Sequence, residues 1–98
     1  MAFHAAKEKR MSPELETLDQ LLGGQLALSI IRNVYPDDEA FRQGVHGLLN
    51  TGDVRLLTSD GSEVPAWRWR ELFVEGAVME QLDLLSLDIT GDGAKKIT

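Results

Sequence analysis

The chain has 98 residues, of which 43% are hydrophobic and 27% charged, a composition typical of one ordinary globular domain. It contains no cysteine, so disulfides, thiolate metal sites and thiol nucleophiles are excluded. Sixteen acidic residues against ten basic ones give a net charge of −6, which repels nucleic-acid phosphates on average.

The charge is unevenly distributed along the chain. Residues 1–11 carry +2, residues 12–71 carry −5 with arginine as their only basic residue type, and residues 72–98 carry −3. The first residues do not resemble a secretory signal, and the longest apolar run, residues 26–31, is too short to span a bilayer. We therefore expect a cytoplasmic protein without membrane contact.

Capping residues and apolar spacing predict the helices of the first half. Ser12 and Pro13 open the first helix, leucines 15, 18, 21 and 22 continue it, and Gly23 and Gly24 end it. A brief strand over residues 26–28 and a short helix over residues 29–34 follow. Asp37 caps the third helix, which ends near Asn50 with a left-handed cap at Gly52. Its polar face carries Glu39, Arg42, Gln43, His46 and Asn50.

A β-hairpin is predicted next, with strands over residues 54–58 and 64–69 and a turn at Asp60-Gly61. Alternation in the return strand places Trp67 and Trp69 on one face and Arg68 and Arg70 on the other. The tryptophans are interpreted either as a wall of the core or as an exposed aromatic anchor. The arginines, with Arg55, are interpreted as a cationic stripe, or as side chains that pair with the acids at 53, 63 or 71 or lie over tryptophan rings.

Helical spacing after the hairpin predicts a C-terminal helix from about residue 72 or 75 to residue 84; a last strand over residues 85–89 is the alternative. The apolar stripe of this helix is interpreted as core packing or as a dimer interface. Its members are Val74, Val78, Leu82 and Leu85. We thus predict a domain over residues 12–86 between flexible segments at residues 1–11 and 87–98.

The order of these elements resembles that of the winged helix-turn-helix superfamily. The resemblance covers residues 12–72 and is carried by the junction LLNTGDVRLL followed by the Asp60-Gly61 turn. It implies an α+β winged-helix-like fold with three helices, a two-stranded hairpin and a C-terminal helix. It also implies that the third helix lies in the DNA major groove. In that arrangement Arg42, Gln43 and His46 would contact base edges. Arg55, Arg68 and Arg70 would contact phosphates.

The acids of the chain argue against this use of the fold. The first turn of the third helix carries Asp37, Asp38 and Glu39, and the tip of the hairpin carries Asp60 and Glu63. In a DNA complex, carboxylates at these positions would lie next to backbone phosphates. Salt at physiological concentration screens charges over about 8 Å, so it would not remove the repulsion of such a direct contact. The six nominated residues are therefore kept as a candidate interaction surface without a fixed partner.

No pattern in the sequence predicts an enzyme or a cofactor site. A nucleophile elbow and a phosphate loop are both missing, and two histidines are too few ligands for a transition-metal site. Asp88, Thr90, Asp92 and Gly93 match the start of a calcium loop, but its last glutamate is missing, so a turn is preferred. The prediction is a small non-enzymatic regulatory or adaptor module that acts through protein contacts, as a homodimer or with another protein. The alternative is a DNA-binding transcriptional regulator that uses helix 37–50 and hairpin 54–70.

Overall fold

A computed structural model describes residues 12–98 of the chain as an α+β domain. The predicted flexible segment 1–11 lies outside the described residues. Among residues 12–98, four α-helices and a three-stranded antiparallel sheet are found. The helices are α1 Pro13–Leu21, α2 Leu28–Ile31, α3 Asp38–Asn50 and α4 Gly91–Lys95, and the strands are β1 Leu26–Ala27, β2 Val54–Leu57 and β3 Ser86–Ile89.

The predicted caps fix the ends of α1 and α3. The Ser12 hydroxyl accepts from the backbone N–H of Leu15 at 3.2 Å, and the Asp37 carboxylate accepts from that of Ala40 at 2.8 Å. Each side chain thereby satisfies an N–H that has no partner inside its helix. At the other end of α3, Gly52 has a φ of +79°, a conformation that costs glycine little. The first and third helices are thus confirmed.

The central strand of the sheet comes last in the chain. β3 pairs antiparallel with β1, where Leu26 lies opposite Leu87, and with β2, where Leu56 also lies opposite Leu87. Leu56 and Leu87 are buried against the helices. β1 and β2 therefore reach the same partner from opposite sides, which sets the strand order β1-β3-β2.

The predicted return strand over residues 64–69 is wrong. The turn forms, with the N–H of Thr58 donating to the Ser62 carbonyl at 2.8 Å, but ladder pairing to the outer edge of β2 stops at Val64. Pro65 follows and has no N–H to extend the ladder. The chain instead forms a 3₁₀ turn over Ala66–Arg68 and one turn of π-helix over Arg70–Val74.

This change of conformation separates the two tryptophans. Side chains two residues apart share one face of a strand but point in nearly opposite directions on a helical turn. Trp69 accordingly packs against the core and donates its Nε1–H to the Val64 carbonyl at 3.3 Å, whereas Trp67 is 79% exposed. The shared wall that alternation predicted does not form.

The predicted helix over residues 72–84 is also wrong, and the alternative strand is close to what is observed. Gly76, with a φ of +95°, ends the π-helical turn, and a 3₁₀ turn over Ala77–Glu80 leads to β3. The expected stripe is therefore not one surface. Val78 and Leu85 are buried in the core, Leu82 packs beside them, and Val74 lies half exposed.

Residues 87–98, expected to be a tail, contain most of β3 and all of α4. The Thr90 hydroxyl accepts from the N–H of Gly93 at 3.1 Å and caps α4, and it donates to the Gly52 carbonyl at 2.6 Å. Asp88 is ion-paired to Arg55. The residues that match the start of a calcium loop thus take part in capping and cross-strand pairing.

The core lies between the sheet and the helices. Its fully buried large side chains are Leu18, Leu21, Leu28, Ile31, Phe41, Val45, Leu49, Leu56, Leu72, Val64, Val78 and Leu87. Because α3 supplies three of these from its inner side, its polar side is left at the surface. Within residues 12–98 the longest α-helix, α3, has 13 residues, and none of the helices is long and apolar enough to cross a membrane.

Candidate functional site

A groove of about 340 Å³ lies between the outer face of α3 and the π-helical turn Arg70–Val74. Its lining residues are Glu39, Arg42, Gln43, His46, Phe73 and Val74. The helical spacing of the first four places them on the side of α3 opposite its core residues. The structure thus brings together three residues of the predicted interaction surface, Arg42, Gln43 and His46.

Arg42 holds the two walls of this groove together. Its Nη1 donates to the backbone carbonyl oxygens of Phe73 at 3.2 Å and Val74 at 3.3 Å. Hydrogen bonds to a charged donor are stronger than those between neutral groups, so these contacts fix the π-helical turn on α3. Arg42 therefore acts as a positioning residue here. Both hydrogen bonds use Nη1, so a base or phosphate contact would have to come from Nε or Nη2.

The remaining lining is partly aromatic and partly polar. The ring of His46 lies nearly parallel to that of Phe73, with a centroid distance of 6.0 Å and an interplanar angle of 13°. Gln43 donates to Oε2 of Glu39 at 3.1 Å. Phe73 is buried and Val74 is 49% exposed, so Val74 provides most of the accessible apolar surface of the groove, next to a carboxylate, an amide and the Arg42 guanidinium. Such a surface suits an amphipathic side chain.

The other three predicted surface residues lie outside the groove. Arg55, on β2, pairs with Asp88 on β3 at 2.7 Å, and Arg70 lies 4.0 Å from Glu75 with both side chains exposed. Arg68 is half-buried in the 3₁₀ turn before the groove. The predicted partners at positions 53, 63 and 71 are wrong, because the hairpin that would have aligned them is not formed.

A second, shallower depression of about 320 Å³ lies on the other side of Gln43. It contains Asp53, whose carboxylate is 2% exposed and accepts from Lys96 Nζ at 2.6 Å and Thr51 Oγ1 at 2.7 Å. A buried carboxylate requires such partners. Because Lys96 follows α4 and Asp53 precedes β2, this pair holds α4 to the body of the domain, and we assign it a structural role.

The shifted acid–base groups lie away from the groove. Burial raises the pKa of Tyr35 to about 12, and the nearby Glu14 adds to the rise against the opposing hydrogen bond from Thr17. Hydrogen bonds from Thr58 and Ser62 lower the pKa of the exposed Asp60. Neither group faces a concave surface where a proton transfer would serve a reaction.

Sequence analysis did not single out Phe73, and it placed Val74 on a C-terminal apolar stripe instead of in a groove with α3. Their spacing suggested a helix face, and no local signal shows that their carbonyl oxygens meet Arg42, 31 and 32 residues away. Within residues 12–98, there is no group of three or more His, Cys, Asp or Glu side chains placed to hold a metal ion.

Comparisons with protein-family models, with curated proteins and with solved structures gave no match. The groove and its contacts are therefore the basis for a functional interpretation.

Proposed function

We propose that this domain is a non-enzymatic regulatory or adaptor module of the cytoplasm that binds a protein through the α3 groove. The observation that carries the proposal is the contact of Arg42 with the carbonyls of Phe73 and Val74. Through these hydrogen bonds Arg42, the cation on the outer face of α3, helps to form the groove. The remaining accessible surface combines the apolar Val74 and the His46 ring with the polar groups of Glu39 and Gln43, a mixture on which protein partners dock.

A winged-helix-like arrangement supports the same proposal. α1, β1, α2, α3 and β2 follow the order expected for such a domain, although the pairing partner of β2 is β3 and the return strand is replaced by turns. Winged helices serve several functions, so the fold alone does not favour DNA. Charge favours a protein partner, because Asp37, Asp38 and Glu39 are exposed at the end of α3 that would face DNA.

Titration of the protein into duplex DNA at low salt tests the proposal against the DNA-binding alternative. With Arg42 bonded to backbone carbonyls and Arg55 paired with Asp88 at the surface, Arg68 and Arg70 are the least engaged of the four arginines, and about two phosphate contacts would give a log–log salt slope near −2. We expect weak binding or none. Tight binding with a slope of about −3 to −4, which needs all four arginines, would overturn the proposal.

Photocrosslinking tests directly whether the groove binds a protein. p-Benzoylphenylalanine at Gln43, on the groove, should give crosslinks to protein, whereas the same residue at Asp19, exposed on α1, should not. Equal yields at the two positions would show that the groove has no special role.

A further inference from the structure

The most exposed large hydrophobic side chain in residues 12–98 is that of Trp67. The 3₁₀ turn that carries Trp67 is held in place by two contacts. The N–H of Arg68 donates to the Pro65 carbonyl at 3.0 Å, and the side chain of Trp69 packs against the core. An indole presented on a fixed turn loses little conformational entropy on binding, and tryptophan is enriched among the residues that dominate interface energies.

From the size and chemistry of the α3 groove, we infer that its occupant is Trp67 of a second copy of this chain. This inference rests on the proposed function, since it names the protein that the groove binds. A volume of about 340 Å³ equals that of roughly eleven water molecules, enough for the ten non-hydrogen atoms of a tryptophan side chain.

The groove offers what an indole needs. Val74 provides accessible apolar surface, and the His46 ring, which lies nearly parallel to the buried Phe73 ring, adds an aromatic surface. The Gln43 hydrogen bond uses Oε2 of Glu39 and leaves Oε1 without a partner within the described part of the chain. That oxygen accepts the indole N–H, which satisfies the polar edge of the ring while its faces are covered.

The charges around the two features are complementary. Arg68 and Arg70 follow Trp67 closely, and the nearest acids in the sequence are Glu63 and Glu71. The groove opens beside Glu39 and the rest of the acidic first turn of α3. The exposed contact between Arg70 and Glu75, at 4.0 Å, is weak enough to be exchanged. A second copy thus supplies the aromatic ring together with cations for Glu39, because Arg42, the cation of the groove itself, is hydrogen-bonded to the carbonyls of Phe73 and Val74.

Trp67 lies in the turn that immediately precedes one wall of the groove, Arg70–Val74. Trp67 and Val74 are seven residues apart on a largely helical stretch, or roughly 10 Å at helical rise. In a two-fold dimer each copy places its Trp67 in the groove of the other, so a single self-complementary surface is used twice. The partner copy thereby completes a site that is open in one chain.

Sedimentation equilibrium of the full chain up to about 1 mM tests this inference. We expect a monomer–dimer equilibrium in which Trp67→Ala raises the dimer Kd at least about tenfold, as for an interface hot spot. Leu84→Ala, at another exposed apolar side chain, is the matched control and should leave Kd unchanged. Arg70→Glu should weaken the dimer by placing an acid next to Glu39 of the second copy, whereas Arg70→Lys, which keeps the charge, should leave Kd unchanged; a general folding defect would not follow the charge in this way.

Two results would overturn the inference: a wild-type chain that remains monomeric, or a Trp67→Ala variant that dimerises as well as wild type. Neither result would contradict the proposed function. Crosslinks from position 43 to a different protein would still identify the groove as a binding site, with another occupant. Crosslinks from position 43 to residues 65–70 of a second copy would support both.

Discussion

Gly44 and Gly47 lie one turn apart on α3, and alanine at each position should change stability in opposite directions. At Gly44 an added Cβ would meet the side chain of Glu14, and it would lie 2.5 Å from Cε1 and 2.9 Å from Oη of Tyr35. At Gly47 nothing lies within 4 Å of an added Cβ. The first glycine permits close packing of α3 on Tyr35, whereas the second has no packing role.

The magnitudes follow from these contacts. Overpacking costs about 1–3 kcal/mol, and the upper end applies because Tyr35 is buried, hydrogen-bonded to Thr17 and in edge contact with Phe41. Replacing glycine by alanine in a helix also stabilises the helix by about 0.8–1 kcal/mol, which offsets part of this cost. Gly44→Ala should therefore lower the free energy of unfolding by about 2 kcal/mol. Gly47→Ala should raise it by about 0.8–1 kcal/mol.

Urea unfolding followed by circular dichroism at 222 nm measures both effects, and equal m-values would show that the unfolded states are comparable. In thermal scans the same changes correspond to a fall of about 8–16 °C for Gly44→Ala and a rise of about 3–8 °C for Gly47→Ala. The reasoning is refuted if Gly44→Ala is as stable as wild type, or if the two variants change stability in the same direction.

Three further predictions concern single side chains. Lys96→Met should lower the free energy of unfolding by about 1–2 kcal/mol, less than for a fully buried pair because Lys96 is half exposed; a urea midpoint equal to that of wild type would contradict the role of Asp53. Tyr35, the one tyrosine of the chain, has a pKa raised above its unfolded value of 10 to about 12. Its contribution, roughly 2–3 kcal/mol, is therefore present below pH 10 and lost as the pH rises towards 12. Absorbance at 295 nm should show ionisation together with unfolding, and a midpoint near pH 10 in folded protein would argue against burial as the cause. Asp37→Ala should cost about 1 kcal/mol by removing the α3 cap, whereas Asp37→Asn should cost little, and equal losses in urea melts would show that the cap is not the reason.

The part of the fold that local chemistry specifies could be predicted from the sequence. α1 and α3 begin at capping side chains, Ser12 and Asp37, and end at glycines, and each of these signals acts within a few residues. β1 and the short helix after it were also predicted at nearly their observed positions. These elements were accessible because their termini do not depend on distant contacts.

The part that depends on distant contacts could not be predicted in the same way. Residues 72–85 have helical spacing, but Gly76 adopts a left-handed conformation and the chain then supplies the strand that β1 and β2 both need. Trp67 and Trp69 have strand-like spacing, but Pro65 prevents the ladder from continuing. In both places tertiary pairing overrides a local periodicity.

In the candidate site, too, the residues that could be predicted are those whose position depends on local sequence. Arg42, Gln43 and His46 were identified because a capped amphipathic helix shows its outer face in the sequence. The opposite wall, with Phe73 and Val74, was not, because it reaches α3 only through the fold. The same holds for the Lys96 contact with the buried Asp53, where no local pattern joins the two residues.

The central position of β3 has a consequence for how the chain folds. β1 and β2 do not pair with each other, so β1 has no strand partner and β2 has only the short pairing near Val64 until residues 86–89 arrive, and Leu26 then pairs with Leu87, 61 residues away. Such non-local closure slows folding relative to a helical bundle of the same size. Until it occurs, the free edges of β1 and β2 are open to other chains. Aggregation during expression should therefore depend more on the integrity of β3 than on the stability of α1 or α3.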